Sequence, residues 1–162
     1  MISPGGLDKY YDRTFLQYVK EELEERDIFL CHITVDWRAN SGAKNWDEYR
    51  NFLGRSLIYF NPTFDSPMPR ARTEAMLSGC CIITTPHQDA KDFIEDGVNG
   101  FICPRNPKWV ANKIEYLIKN YEEAIRVGQA GKATAQKLFS KENFEKQWVA
   151  LLEKVTGKKI YE

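Results

Sequence analysis

Residues 57–85 read LIYFNPTFDSPMPRARTEAMLSGCCIITT, and this stretch decides the fold prediction. Residues 57–60 form a short apolar run, and residues 61–69 contain three prolines, which is typical of a loop. Residues 70–78 are mostly helix-forming types and stop before a glycine, whereas residues 80–85 are apolar and β-branched like a buried strand. The stretch therefore predicts a strand, a loop, a helix and a second strand.

The beginning of the predicted helix is the first candidate for a binding site. In α/β proteins, ligands collect where the carboxyl end of a strand meets the N-terminus of the next helix. Arg70 and Arg72 lie in the first turn, although a helix N-terminus already carries a partial positive charge. A bound anion such as a phosphate would remove this conflict. Alternatively, both side chains are solvent-exposed and Arg70 pairs with Glu74. The local chemistry leaves both interpretations open.

Composition limits the classes of protein to consider. The chain has 162 residues, 43% of them hydrophobic, and a net charge of zero, which predicts one domain without a broad nucleic-acid or membrane footprint. No apolar run approaches the ~20 residues of a membrane span, and the start lacks a signal-peptide core. The four cysteines form no CxxC pair, so reduced thiols are expected rather than a metal site or disulfide. We expect a cytoplasmic protein.

Strand-like and helix-like segments alternate along the chain. The predicted helices are residues 9–26, 45–55, 70–78, 90–95, 107–120, 121–139 and a last helix capped by Ser140. The predicted strands are residues 28–35, 57–60, 80–85 and 100–103. This alternation predicts an α/β fold, a Rossmann-like doubly wound parallel sheet with helices on both faces. No clear strand precedes the first helix, so either residues 1–6 contain a poor strand or that strand lies outside the chain.

Three segments from the second half of the chain carry a family resemblance. They are residues 74–85, EAMLSGCCIITT, residues 92–104, DFIEDGVNGFICP, and residues 128–144, GQAGKATAQKLFSKENF. In this order and spacing they resemble the carboxyl-terminal half of the GT-B-fold retaining glycosyltransferases of the large sucrose-synthase-like family, glycosyl transferases group 1. The resemblance covers roughly residues 45–155 and implies that the chain is half of a GT-B fold.

The resemblance implies a site for a nucleotide diphosphate sugar, with UDP or GDP as the nucleotide, and neither a metal nor a separate cofactor. Glu74 matches the second glutamate of the family's E-x7-E signature, which holds the ribose hydroxyls. A carboxylate suits this role because it accepts two hydrogen bonds from a cis-diol. Arg72 and its neighbour Thr73 are then expected near the diphosphate.

The chain departs from the family pattern in the loop before the helix. The first glutamate of the signature falls on Ser66, with Asp65 beside it, and the two following glycines fall on Pro67 and Pro69. Proline has no N–H and cannot donate a hydrogen bond to a phosphate. We therefore hypothesise that Arg70 and Arg72 supply the positive charge that backbone N–H groups supply in other members.

A second departure concerns the loop after the strand at residues 80–85. The family's paired glycines align there with Gln88 and Asp89, so the usual contact to the donor sugar is in doubt. His87 or Gln88 could replace that contact.

The domain organisation follows from the resemblance as well. Residues 1–162 are expected to form a single nucleotide-sugar-binding domain, whereas GT-B enzymes place the acceptor site in an amino-terminal domain that is absent here. The expected partners are the nucleotide-sugar and either the missing domain or a partner chain. Neither nucleic acid nor a membrane span is expected, and peripheral contact with a membrane is compatible with the sequence. The complete protein would transfer a sugar with retention, and the isolated chain would be inactive.

Two other functions remain open. A degenerate, non-catalytic binding or assembly module of the same fold is the alternative, because Pro67 and Pro69 could abolish donor binding. A receiver-like regulatory domain ranks last, because Asp36 and Asp65 alone do not make the acidic cluster that such a domain needs.

Overall fold

The computed structural model of the protein describes residues 12–31, 43, 45–65 and 69–160. Within these ranges the chain forms helices and strands that alternate in the predicted manner. The helices are α1 (Arg13–Glu24), α2 (Trp46–Arg55), α3 (Arg70–Ser78), α4 (Ala90–Phe93), α5 (Pro107–Lys119), α6 (Tyr121–Leu138) and α7 (Lys141–Thr156). The strands are β1 (Ile58–Asn61), β2 (Cys81–Thr84) and β3 (Phe101–Ile102).

The three strands form a parallel sheet in the order β1-β2-β3. β1 pairs with β2 from Ile58 and Cys81 onward, whereas β3 pairs only with the carboxyl half of β2, from Ile83 and Phe101 onward, so the three strands end at similar levels. The predicted α/β class and the predicted strands at residues 57–60, 80–85 and 100–103 are confirmed to within one or two residues.

Helices cover both faces of this sheet, as predicted. On one face, α1 and α5 pack Val19 and Val110 against Phe60 and Ile83. On the other face, α2 and α3 pack around Ile82; the buried side chains there include Tyr49, Leu53, Ala75 and Met76. Because β2 is buried on both faces, its sequence CIIT is a continuous apolar run that ends in threonine.

The strand predicted at residues 28–35 is not formed in the part of it that the structure describes. Residues 28–31 have no strand assignment, and the backbone N–H of Ile28 donates to the carbonyl of Leu23 at 3.0 Å, closing the end of α1. Residues 32–35 lie outside the described residues. An apolar run becomes a strand only where it pairs with a neighbour, and residues 28–31 make no such ladder with β1.

An apolar cleft lies beside β1, on the edge away from β2. Its volume is about 280 Å3, and its walls come from α1, from residues 28–31 and from β1. The lining residues include Leu16, Ile28, Leu30, Tyr59 and Phe60. Among the described strands, only β2 pairs with β1.

α6 crosses the sheet at very short distance because of two glycines. A Cβ at Gly128 would lie 2.3 Å from the carbonyl oxygen of Gly79, and one at Gly131 would lie 2.8 Å from the carbonyl oxygen of Asn99. From sequence these glycines only weaken the helix. In the structure they allow α6 to approach the backbone before β2 and before β3.

α7 is an amphipathic helix whose apolar side is uncovered in the described part of the protein. Ser140 caps it as predicted, accepting a hydrogen bond from the N–H of Asn143 at 3.0 Å. None of its residues is buried; the exposed apolar side chains are Phe144, Trp148, Leu151, Leu152 and Val155. The apolar side chains of α7 are therefore not covered by the described residues.

The cysteines and the helix lengths complete the description. Cys80, Cys81 and Cys103 are buried free thiols and Cys31 is an exposed one. Burial raises the pKa of Cys80 to about 11 and that of Cys81 to about 12, so both stay protonated at neutral pH. Across the described residues, no helix combines the length and apolar character that a membrane crossing needs.

Candidate functional site

The N-terminus of α3 opens at the carboxyl edge of the sheet, next to the loop that follows β1. Pro69 is its N-cap residue in an extended conformation, with φ of −60°, and makes no side-chain capping bond. The first backbone N–H groups of α3 with a hydrogen bond inside the helix are those of Arg72 and Thr73, and both donate to the carbonyl of Pro69. The helix end therefore directs the N–H groups of Arg70 and Ala71 outward without a capping side chain, which is the usual form of an anion site.

Glu74 lies one turn farther along α3 and is held from two sides. The Tyr49 hydroxyl donates a 2.7 Å hydrogen bond to Glu74 Oε2, and Arg70 Nε lies 3.5 Å from Oε1. Burial first, and the Glu74 carboxylate second, raise the pKa of Tyr49, so it remains a hydrogen-bond donor at neutral pH. The side chain of Arg70 is 84% exposed and that of Glu74 is 28% exposed. The ion pair that sequence offered as an alternative is thus present.

Glu74 lies in the wall of a groove between α2 and α3. The groove has a volume of about 500 Å3, and its lining residues are Trp46, Tyr49, Arg50, Leu53, Glu74, Leu77 and Ser78. A carboxylate offers about four acceptor positions, of which Tyr49 uses one and the exposed Arg70 a second. Glu74 therefore keeps acceptor capacity for a diol, and Tyr49 fixes the orientation in which that capacity is presented.

Arg72 is fully buried, in contrast to the exposed alternative considered from sequence. Its Nη1 lies 3.3 Å from Asp89 Oδ1 and 3.1 Å from His87 Nε2, and its guanidinium lies 5.1 Å from the centre of the Phe93 ring. These contacts compensate for burial of a charge. Its Nε and Nη2 are also buried and have no hydrogen-bond partner, although an unmet donor costs about 1–3 kcal/mol. Two strong donors are thus left over at the base of the α3 N-terminus.

His87 is a buried, neutral link in the same cluster. Its Nδ1 lies 2.8 Å from the carbonyl oxygen of Thr85, so Nδ1–H donates there and Nε2 accepts from Arg72. Burial lowers the pKa of His87, and the nearby Arg72 charge lowers it further, against weaker opposing effects from Thr85 and Asp89. The imidazole therefore positions the Arg72 guanidinium and is uncharged at pH 7.

The remaining predicted site residues are spread around this edge. Asp65 accepts a 2.7 Å hydrogen bond from Gln88 Nε2, which joins the loops after β1 and β2. Thr73 is half-buried on α3 beside Arg72. Ser66 lies outside the described residues, as do Pro67 and Asp36. The structure thus brings together Arg72 with His87, Arg70 with Glu74, and Asp65 with Gln88.

Two residues at this edge were missed by sequence reasoning. Tyr49 orients Glu74, and nothing in its sequence spacing indicates a partner on α3. Arg105 follows β3; it contacts Asp12 Oδ2 at 2.7 Å and Thr85 Oγ1 at 3.4 Å. Its guanidinium also lies about 5 Å from the ring centres of Phe15 and Phe64. Only its place directly after a strand end could have singled it out.

No candidate metal site is present among the described residues. Their His, Cys, Asp and Glu side chains form no cluster of three that could hold a metal ion. The charged side chains around the N-terminus of α3 include Arg70, Arg72, Glu74 and Asp89. This arrangement can bind an anion at the helix end and a polyhydroxylated group beside it.

Solved structures share this fold. HepE from Anabaena, solved in complex with UDP, has a TM-score of 0.62 at 22% identity, over 66% of this chain and 30% of that one. Sucrose-phosphate synthase from Thermosynechococcus elongatus has a TM-score of 0.66 at 18% identity, over 90% of this chain and 35% of that one. Because the identities are low, these structural similarities establish only the fold of the chain, which is of the GT-B type.

Sequence comparisons establish the family. Spore coat protein SA from Bacillus subtilis is 26% identical over 166 residues, which cover 86% of this chain and 44% of the relative. The chain thus spans less than half the length of that relative. The family model described as glycosyl transferases group 1 matches residues 40–134, more than half of the chain. This stretch runs through α2, the three strands and most of α6, so the chain belongs to the glycosyl transferases group 1 family.

Proposed function

We propose that the chain is the donor-binding domain of a glycosyltransferase and that it binds a nucleotide diphosphate sugar at the N-terminus of α3. The observation that carries this proposal is Glu74, oriented by Tyr49 at 2.7 Å beside a helix end without a capping side chain. In the complete protein the sugar would pass to an acceptor with retention of its anomeric configuration.

The diphosphate is assigned to the N-terminus of α3. Its oxygens would accept from the first N–H groups of the helix and from Arg70, whose exposed side chain can turn toward the ligand. The buried Arg72 would contribute its charge from below, with Asp89 and His87 holding the guanidinium in place. An anion at this point would offset the positive charge gathered there.

The ribose is assigned to Glu74. A diol can share the carboxylate with the Tyr49 hydroxyl, because the two use different lone pairs. Asp65, Ser66, Thr73 and His87 remain candidates for contacts around the sugar and the diphosphate. Of these, His87 would act by positioning Arg72, since its two ring nitrogens already face Thr85 and Arg72.

Transfer would need further polypeptide, either an amino-terminal domain or a partner chain. One feature of the described structure supports this part of the proposal. The apolar stripe of α7 is not covered by any of the described residues. It is a surface of the kind that neighbouring chain covers in a larger protein. The isolated domain would then bind donor without turning it over.

Thermal unfolding in the presence of UDP, GDP and UDP-glucose tests donor binding. A ligand present at 100 times its dissociation constant adds about 2.7 kcal/mol. For a chain of this size that corresponds to a rise in Tm of about 5–10 °C. Glu74→Gln should weaken binding by about tenfold to a hundredfold, because hydrogen bonds to a charged group contribute about 1.5–3 kcal/mol. Glu122→Gln, in the first turn of α6, is the matched control.

The degenerate binding module is the second candidate, and one observation favours it. The N-cap of α3 is Pro69, which has no N–H to give to a phosphate. If no nucleotide raises the Tm of the wild-type chain, the degenerate module becomes the better description of the protein.

A further inference from the structure

An exposed indole lies beside the proposed ribose site. Trp46 opens α2 and is 46% exposed. Its ring meets the Tyr49 ring edge-on, with centroids 5.9 Å apart, and the Tyr49 hydroxyl donates to Glu74. A single side chain thus separates the indole from the Glu74 carboxylate.

A second apolar side chain borders the same groove. Leu77 on α3 is 40% exposed and lines the groove between α2 and α3 together with Trp46. One wall thus presents an indole and the other a leucine, with the polar Glu74 in the same groove. A groove of about 500 Å3 with apolar walls and one fixed polar group suits a planar heterocycle attached to a hydroxylated ring.

The chemistry of a nucleotide connects this groove to the rest of the site. The diphosphate leaves the ribose at its 5′ carbon, the diol occupies the 2′ and 3′ carbons, and the base leaves from the 1′ carbon. If the diphosphate lies at the N-terminus of α3 and the diol at Glu74, the base extends away from the helix end into the groove. We propose that Trp46 is the stacking platform for the nucleobase, an inference that rests on the proposed function.

Arg50 adds a preference among bases. It lies four residues after Trp46 on the same side of α2 and lines the same groove. Its ion pair with Asp47, at 3.4 Å, is solvent-exposed, so Arg50 can exchange that partner for a ligand. Its N–H groups can donate to the ring carbonyl oxygens of uracil or guanine, which adenine lacks. Stacking on Trp46 then supplies affinity for any base, and Arg50 favours bases that carry a carbonyl.

Calorimetric titration with UDP, GDP and ADP tests the inference on the wild type, Trp46→Ala, Trp46→Phe and Arg50→Ala. Trp46→Ala should weaken UDP binding by about fivefold to a hundredfold, which is the usual effect of removing one stacking ring. Trp46→Phe should retain most of the affinity, and Arg50→Ala should reduce the preference for UDP over ADP. Trp109→Ala, an exposed tryptophan on α5 across the sheet, is the matched control and should bind UDP like the wild type.

The outcomes separate this inference from the proposed function. Wild-type binding of UDP that Trp46→Ala leaves unchanged overturns the stacking role and leaves donor binding intact. A wild type that binds none of the three nucleotides overturns both. Thermal unfolding of each variant shows whether it is folded, and should Trp46→Ala fail to fold, the comparison of Trp46→Phe with the wild type in tryptophan fluorescence decides. Quenching by UDP that disappears in Trp46→Phe supports stacking, and quenching that persists unchanged refutes it.

Discussion

The substitution Gly128→Ala tests how α6 packs on the sheet. The added Cβ would lie 2.3 Å from the carbonyl oxygen of Gly79, 3.1 Å from the amide of Cys81 and 3.2 Å from the carbonyl carbon of Cys80. All three neighbours are backbone atoms, so no flexible side chain can yield. Gly79 itself has φ of 86°, the left-handed region, which restricts how the turn can rearrange.

The expected magnitude follows from two opposing effects. Overpacking a well-packed interior costs about 1–3 kcal/mol, and this contact is severe enough to reach the upper end. Alanine gains up to ~1 kcal/mol over glycine in helix propensity. The net loss should therefore be about 2 kcal/mol, which lowers the Tm of a chain of this size by about 4–8 °C.

Gly54→Ala is the matched control, because nothing lies within 4 Å of its added Cβ and it also sits in a helix. It should be neutral or stabilising by up to ~1 kcal/mol. Urea and thermal unfolding followed by far-UV circular dichroism measure both variants, with an unchanged m-value as the sign of an intact two-state comparison. A Gly128→Ala variant as stable as Gly54→Ala would refute the close packing of α6.

Three further predictions concern the cluster around α3. Asp89→Ala should lower the free energy of unfolding by about 3–5 kcal/mol in urea denaturation, because it removes a carboxylate partner of the buried Arg72. Glu145→Ala, in an exposed pair with Lys141, is the control and should change the free energy of unfolding by less than ~0.5 kcal/mol. Equal losses in the two variants would contradict the buried pair. Because burial lowers the pKa of His87, the unfolded chain binds its proton more readily, so stability should be full above pH ~6.5 and fall as the pH drops below that value. His87→Gln should flatten this dependence, and a slope that survives in His87→Gln would count against the neutral imidazole. Tyr49→Phe removes the 2.7 Å bond to Glu74 and should cost about 0.5–1.5 kcal/mol in thermal unfolding, together with weaker UDP binding; unchanged UDP affinity would show that Tyr49 does not orient the carboxylate.

The bounds of α3 and its neighbours could be predicted because they depend on local chemistry. Pro69 and Gly79 bracket the helix, since proline suits a helix start and glycine the left-handed residue after its end. The parallel sheet followed from the alternation of apolar runs and helical segments. These signals are contained in adjacent residues and need no information on distant contacts.

The environment of Arg72 could not be predicted, because its partners come from another part of the chain. His87 and Asp89 lie 15 and 17 residues later, in the loop after β2, and only the fold brings them to α3. The same holds for Tyr49 and Glu74, which are 25 residues apart. The exposure of the aromatic side chains on α2 depends on tertiary packing in the same way. An aromatic at a helix start such as Trp46 can face either the core or a groove, and only packing decides.

The strand expected at residues 28–35 illustrates a third kind of limit. Its apolar, β-branched sequence meets every local criterion for a strand, yet residues 28–31 lie beside the cleft at β1 without pairing. A parallel strand depends on its neighbours for hydrogen bonds, so sequence can indicate the tendency and cannot supply the partner.

A crystal structure of the chain with UDP-glucose tests the central claim most directly. The account predicts the diphosphate within hydrogen-bonding distance of the N–H groups of Arg70 and Ala71, and the ribose hydroxyls on Glu74 beside the Tyr49 hydroxyl. Density for the nucleotide at any other surface, with Glu74 still bound only to Tyr49 and Arg70, would contradict it.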